Sequence, residues 1–129
     1  MTTTEPVDRF LDAVRTATIP HLDIWAPGAT LDATVPNWRF KISGPARIRG
    51  QLARWYADPG AFEELTRMPL PDGELAEFLL TWTQRGIPHA AHQAHVITLA
   101  EGRIVRQTAY CGGRWPAGLL AEMAEVSGG

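Results

Sequence analysis

The chain has 129 residues, a formal net charge of −2 and 45% hydrophobic residues, which suits one packed domain burying roughly 65 to 70% of its unfolded surface. Its basic residues are scattered, so neither a nucleic acid nor an anionic membrane is an expected partner. The single cysteine, Cys111, excludes an intramolecular disulfide framework, and Met-Thr-Thr-Thr-Glu-Pro has none of the basic and apolar pattern of a signal peptide, so the expectation is a cytoplasmic protein. No apolar run approaches the roughly 20 residues of a membrane helix.

A first helix is expected from Thr4, a candidate cap, to about Ala17, with Pro6 in its first turn and one apolar stripe of Val7, Phe10, Leu11 and Val14. A short segment from His21 to Trp25 leads into a Pro27-Gly28 turn. Residues 30–35 then alternate as a half-buried strand, with Leu31, Ala33 and Val35 on one face and Thr30, Asp32 and Thr34 on the other. Residues 37–43 read as a connection. Gly44-Pro45 opens a second helix with Ile48, Leu52, Trp55 and Tyr56 on its buried side, ending near Asp58-Pro59-Gly60. Phe62 to Pro69 reads as an edge strand, because Pro69 cannot donate to a ladder. Three strand-length segments follow: Glu74 to Arg85, His89 to Leu99 and Arg103 to Gly112, the last opened by the glycine-centred turn Glu101-Gly102-Arg103-Ile104. Gly113-Arg114-Trp115-Pro116 leads to an amphipathic tail through Leu119, Leu120 and Met123. The domain is expected over residues 1–126, with a disordered tail at 127–129.

The chemistry-bearing motifs are mainly exclusions. There is no GxxxxGK[ST] loop, no GxGxxG after a strand, no GxSxG elbow and no CxxC pair. The segment His89-Ala90-Ala91-His92-Gln93-Ala94-His95 invites a metal, but His92 faces opposite to His89 and His95 on a strand. The latter two lie about 20 Å apart at ~3.3 Å per residue, too far for one ion. No metal and no cofactor are expected. What remains is a histidine facing a pocket, able to carry protons if it titrates near neutral pH.

Helix, strand, second helix and long meandering strands around a Gly102-Arg103-Ile104 turn resemble the nuclear transport factor 2-like (NTF2-like) superfamily, in its SnoaL-like and ketosteroid isomerase-like branch. The resemblance implies an α+β, cystatin-like cone: a curved antiparallel sheet wrapped around N-terminal helices, open at one end into an apolar pocket, and a homodimer through the sheet. It further implies a cofactor-independent isomerase, cyclase or dehydratase acting on an apolar carbonyl or polycyclic substrate, with a non-catalytic ligand-binding or dimeric structural module of the same fold as the alternative.

Carried over without a gap at that turn, the branch's second acidic residue falls at Ala94 and His92 faces the pocket. With the turn one residue shorter, His95 does, joined by Ile97 and Leu99 in a more apolar stripe. The branch's tyrosine in the first helix falls near Phe10, its first-strand aspartate at Ala33 beside Asp32, and its last-strand aspartate near Gly112. The implied catalytic candidates are His95, His92 and Asp32. The implied ligand-contacting residues are Trp38, Tyr56, Trp55, Trp82, Gln107 and Cys111, with Arg39 and Arg114 near the mouth. The expected ligand is small and apolar or aromatic.

Overall fold

The computed structural model describes residues 5–128. Helix α1, Glu5–Thr16, carries the expected stripe: Val7, Phe10 and Val14 are fully buried and Leu11 nearly so. The chain leaves it through Ala17, which takes a left-handed φ of 57°. The Thr4 cap expected from the sequence lies outside the described residues. A 3₁₀ turn at Ile19–His21 carries the chain into strand β1, Trp25–Val35.

Here the structure corrects two expectations. Pro27-Gly28 is not a turn between elements but lies inside β1, where the ladder slips between Trp25 and Thr30. Residues 37–43 are not a connection either. Asn37, at φ 74°, turns the chain back, and Trp38–Ser43 forms strand β2, paired antiparallel with β1 from Val35↔Trp38 to Thr30↔Ser43. At the edge of the sheet, β2 buries none of its side chains, so it lacks the apolar alternation that marks a strand in sequence.

Helix α2, Pro45–Trp55, follows Gly44 (φ 94°), whose N–H donates to the Ala29 carbonyl at 2.9 Å. Ile48 and Leu52 bury its inner face. The remaining strands are β3 (Gly60–Leu70), β4 (Gly73–Gln84), β5 (Ile87–Ala100) and β6 (Arg103–Cys111). The tight turns at Arg85-Gly86 and Glu101-Gly102 have positive φ at both central residues, the type I′ pattern that suits the right-handed twist of long hairpins. After β6 the chain bends at Gly113 (φ 122°) into β7, Trp115–Pro116, which continues along β5. Helix α3, Ala117–Gly128, closes the described chain, while Gly129 lies outside it.

The result is an α+β fold with a curved, unclosed seven-stranded sheet in the order β2-β1-β6-β5-β4-β3, β7 pairing with β5. The sheet is mixed, because β1 runs parallel to β6 while its other pairings are antiparallel. That parallel contact brings the ends of β1 and β6 side by side, at Val35 and Cys111. The stripe of α1 and the inner face of α2 join one core with the inward residues of β1, β4, β5 and β6. Among the described residues no helix is long and apolar enough to cross a membrane.

Candidate functional site

The inward face of β5 carries Ala91, Gln93, His95, Ile97 and Leu99, each less than a tenth exposed, while His92 and Val96 point the other way. The ladder places His95 between Ala76 of β4 and Ala109 of β6. Two methyl groups leave room for a ring, which Phe78 stacks at 5.5 Å and Phe10 abuts at 5.1 Å. His95 is fully buried.

A chain of hydrogen bonds fixes its chemical state. The indole N–H of Trp25 can only donate, and it donates to Gln107 Oε1 at 3.0 Å. That orients the Gln107 amide, so its Nε2 donates to His95 Nδ1, also at 3.0 Å. An accepting Nδ1 leaves the proton on Nε2, which donates to Gln93 Oε1 at 3.0 Å and lies 3.1 Å from the Tyr56 hydroxyl. Tyr56 in turn donates to Gln93 Oε1. With its oxygen doubly engaged, Gln93 turns its Nε2 toward Cys111 Sγ, 3.3 Å away. Among the described residues every buried side-chain nitrogen and oxygen has a partner.

Protonating His95 would set an Nδ1–H against the Gln107 amide hydrogens, and among the described residues no carboxylate bonds to the ring to compensate. Burial accordingly lowers its pKa from 6.5 to about 3. Desolvation also pushes the Tyr56 phenol well above its usual value. Burial thus favours the neutral His95 ring, with Nε2 donating its hydrogen bond to Gln93.

Beyond Gln93 and Cys111 the core opens. A cavity of about 240 Å³ lies where β1, β6 and α2 end, lined by Val35, Pro36, Trp55, Gln93, Cys111, Gly113 and Arg114. Arg114 is held there by neutral groups: it donates to the Trp55 carbonyl at 3.0 Å and to Gln84 Oε1 at 2.7 Å, and its guanidinium lies 4.7 Å above the Trp82 ring.

The expected site residues therefore divide. Tyr56, Gln107 and His95 meet in the interior; Trp55 and Cys111 stand on the cavity. Trp82 is buried behind Arg114, stacked on His89 at 5.5 Å. Three others lie elsewhere. His92 is on the outer sheet face, with Nε2 3.5 Å from Glu77. Asp32 shares that face, on the side of β1 opposite Leu31 and Ala33, and Arg39 donates to it through Nε at 2.8 Å and Nη2 at 2.6 Å; those bonds hold its carboxyl below the usual range. Arg39 is thereby an ion-pair partner on the outer face and not a residue of the mouth. Trp38 is 69% exposed on β2, its ring 6.3 Å from Phe40. The structure adds Trp25, Gln93 and Pro36. A glutamine two residues before an inward histidine, on the same strand face, is the sequence signal that could have found Gln93. Trp25 lies 82 residues from its partner and carried no such signal. Among the described residues no three His, Cys, Asp or Glu side chains come together as a metal site.

No family model matches the chain, and no curated protein matches it. Solved structures do. A Bacillus subtilis protein named a "Putative Isomerase" superposes with a TM-score of 0.69 at 20% identity, over 84% of each chain. A "putative polyketide cyclase" from Pseudomonas putida gives 0.66 at 19% identity, covering 95% of this chain and 97% of that one. An NTF2-like protein of unknown function from Mesorhizobium loti gives 0.62 at 17%, over 84% and 89%. The chain thus has the NTF2-like fold, an α+β cone.

Proposed function

We propose that this chain binds a small apolar carbonyl compound in the cavity at the cone mouth. One observation carries the reading. Gln93 has its oxygen committed to Tyr56 and His95, so the group it offers to the cavity is a positioned N–H, now resting on the weak acceptor Cys111 Sγ. A ligand carbonyl oxygen is the better acceptor and would displace that contact without leaving a buried group unpaired. Val35, Pro36 and Trp55 supply the apolar walls. The volume lies below the roughly 300 to 1,000 Å³ typical of drug-sized ligands, which favours one- or two-ring compounds over larger polycycles.

The test is an NMR titration with aromatic ketones, following the Gln93 side-chain amide and the Trp55 indole. Binding moves both signals and leaves the indole of exposed Trp38 in place. A set of ketones that moves neither would sink the reading.

A second reading is a cofactor-independent isomerase, cyclase or dehydratase, favoured by the names of the Bacillus subtilis and Pseudomonas putida neighbours. In it, Gln93 polarises the carbonyl while Tyr56 and His95 brace its amide. The residues lining the cavity include no carboxylate or imidazole to take the proton, which is why binding stands first. Deuterium incorporation next to the ketone carbonyl in D₂O, lost in Gln93→Leu, would move catalysis ahead. We also propose a homodimer through the outer sheet face, tested by light scattering of wild type and of Tyr110→Asp, a half-exposed position on that face.

A further inference from the structure

We propose that the carbonyl compound of the mouth cavity is a planar aromatic carboxylate, apolar apart from that one group, with its ring against Trp55 and its charge on Arg114; this rests on the binding reading above. The two acceptors of Arg114, the Trp55 carbonyl and Gln84 Oε1, are neutral, and the third contact is the face of Trp82. Among the described residues no carboxylate lies within 4 Å of it. The guanidinium is positioned on three sides by neutral groups.

Four other arginines of this chain are paired with carboxylates, while Arg49 and Arg54, like Arg114, donate to neutral groups, the Leu22 carbonyl and Gln51 Oε1. Arg15, Arg39, Arg67 and Arg103 each pair with an aspartate, and Arg67 also with Glu74. Arg114 instead stands at a cavity whose other polar groups, Gln93 and Cys111, are a neutral amide and a thiol. Two of its five N–H groups are spent, so a carboxylate can be taken by those that remain. Two hydrogen bonds and the Trp82 ring 4.7 Å away already hold the guanidinium, so less side-chain freedom remains to be lost on binding. Trp55 joins the two halves of the site: the residue lines the cavity and its carbonyl anchors the arginine.

The experiment compares 2-naphthoate with its neutral isostere 2-naphthamide by calorimetry and by the Gln93 and Trp55 NMR signals, in wild type, Arg114→Gln, Arg114→Lys and, as a control on α2, Arg47→Gln. We expect naphthoate to bind about tenfold or more tightly than naphthamide to wild type, with the preference weakening as salt rises. R114Q abolishes the preference while still binding naphthamide, R114K keeps part of it, and R47Q keeps all of it. Equal affinity for the two ligands in wild type, or a full preference surviving in R114Q, overturns the assignment to Arg114 and leaves the cavity reading standing. Failure of both ligands to move Gln93 or Trp55 overturns the cavity reading, and this inference with it.

Discussion

The indole N–H of Trp25 and the side-chain oxygen of Gln107, 82 residues apart, meet at 3.0 Å, and that bond decides which nitrogen of His95 carries the proton. It follows that ¹⁵N spectra at pH 7 will show His95 as the neutral Nε2–H tautomer, while His92 on the outer face reports a different environment. Replacing Trp25 with Phe removes the donor and leaves a buried amide oxygen without a partner, at a cost of about 1 to 3 kcal/mol plus the lost packing. The freed amide can then rotate, so the W25F spectrum should show a mixture of His95 tautomers. A single unchanged tautomer would show that the indole does not set the polarity of the network.

Burial of His95 makes stability depend on pH in a defined direction. The unfolded chain takes up a proton on this ring near pH 6.5, whereas the folded protein resists until about 3. Between those limits the unfolded state binds more protons, so stability falls as pH is lowered through the window and is flat with respect to this group above it. In the middle of the window the slope due to this ring is about 1.4 kcal/mol per pH unit. Urea denaturation of wild type and His95→Gln between pH 7 and 4 measures it, since the variant lacks that slope whatever its starting stability. Parallel curves would mean that the ring is charged, or solvated, in the fold.

The inward stripe of β5 was legible because His95, Ile97 and Leu99 alternate more cleanly than the opposite register, and the stripe of α1 because Val7, Phe10, Leu11 and Val14 leave no other face to bury. What was not legible depended on partners remote in sequence. The family resemblance implied Gln107 as a pocket wall, and only the indole of Trp25 turns it into an interior link. Likewise Asp32 was on the expected face, yet nothing local showed that β2 would exist to bring Arg39 to it. The parallel pairing of β1 with β6 joins segments more than 70 residues apart, and it is this pairing that puts Val35 beside Cys111 at the mouth.

Arg67 ties the edge of the sheet to the helix inside it. On β3 it bonds Glu74 of β4 through Nε and through Nη2 at 3.0 Å, and it reaches Asp8 of α1 through Nη1 at 2.7 Å. The Glu74 side chain is only 6% exposed, so truncating its partner strands a nearly buried carboxylate. Arg67→Met should cost about 2 to 4 kcal/mol, whereas Arg15→Met, which breaks the exposed Arg15–Asp12 pair, should cost less than about 1 kcal/mol. Comparable losses in the two variants, read by urea denaturation, would refute a structural role for the Arg67 link.

Two glycines separate backbone approach from helix propensity. Gly73 opens β4 opposite Thr98 of β5, and a Cβ placed on it would sit 1.8 Å from the Ile97 carbonyl oxygen. That contact is with backbone of a central strand, which cannot move aside without breaking the ladder around Glu74 and Ile97. Gly73→Ala should therefore cost several kcal/mol, of the order of overpacked core sites, and should speed hydrogen exchange most where the first pairs of β4 are lost. Gly50 stands midway along α2, and a methyl group placed on it would meet nothing within 4 Å. Gly50→Ala should raise stability by about 0.5 to 1 kcal/mol, because alanine has less backbone freedom to lose on folding. Thermal melts of the two variants should move in opposite directions from wild type. A Gly73→Ala protein as stable as wild type would mean that β4 and β5 do not approach so closely at this point.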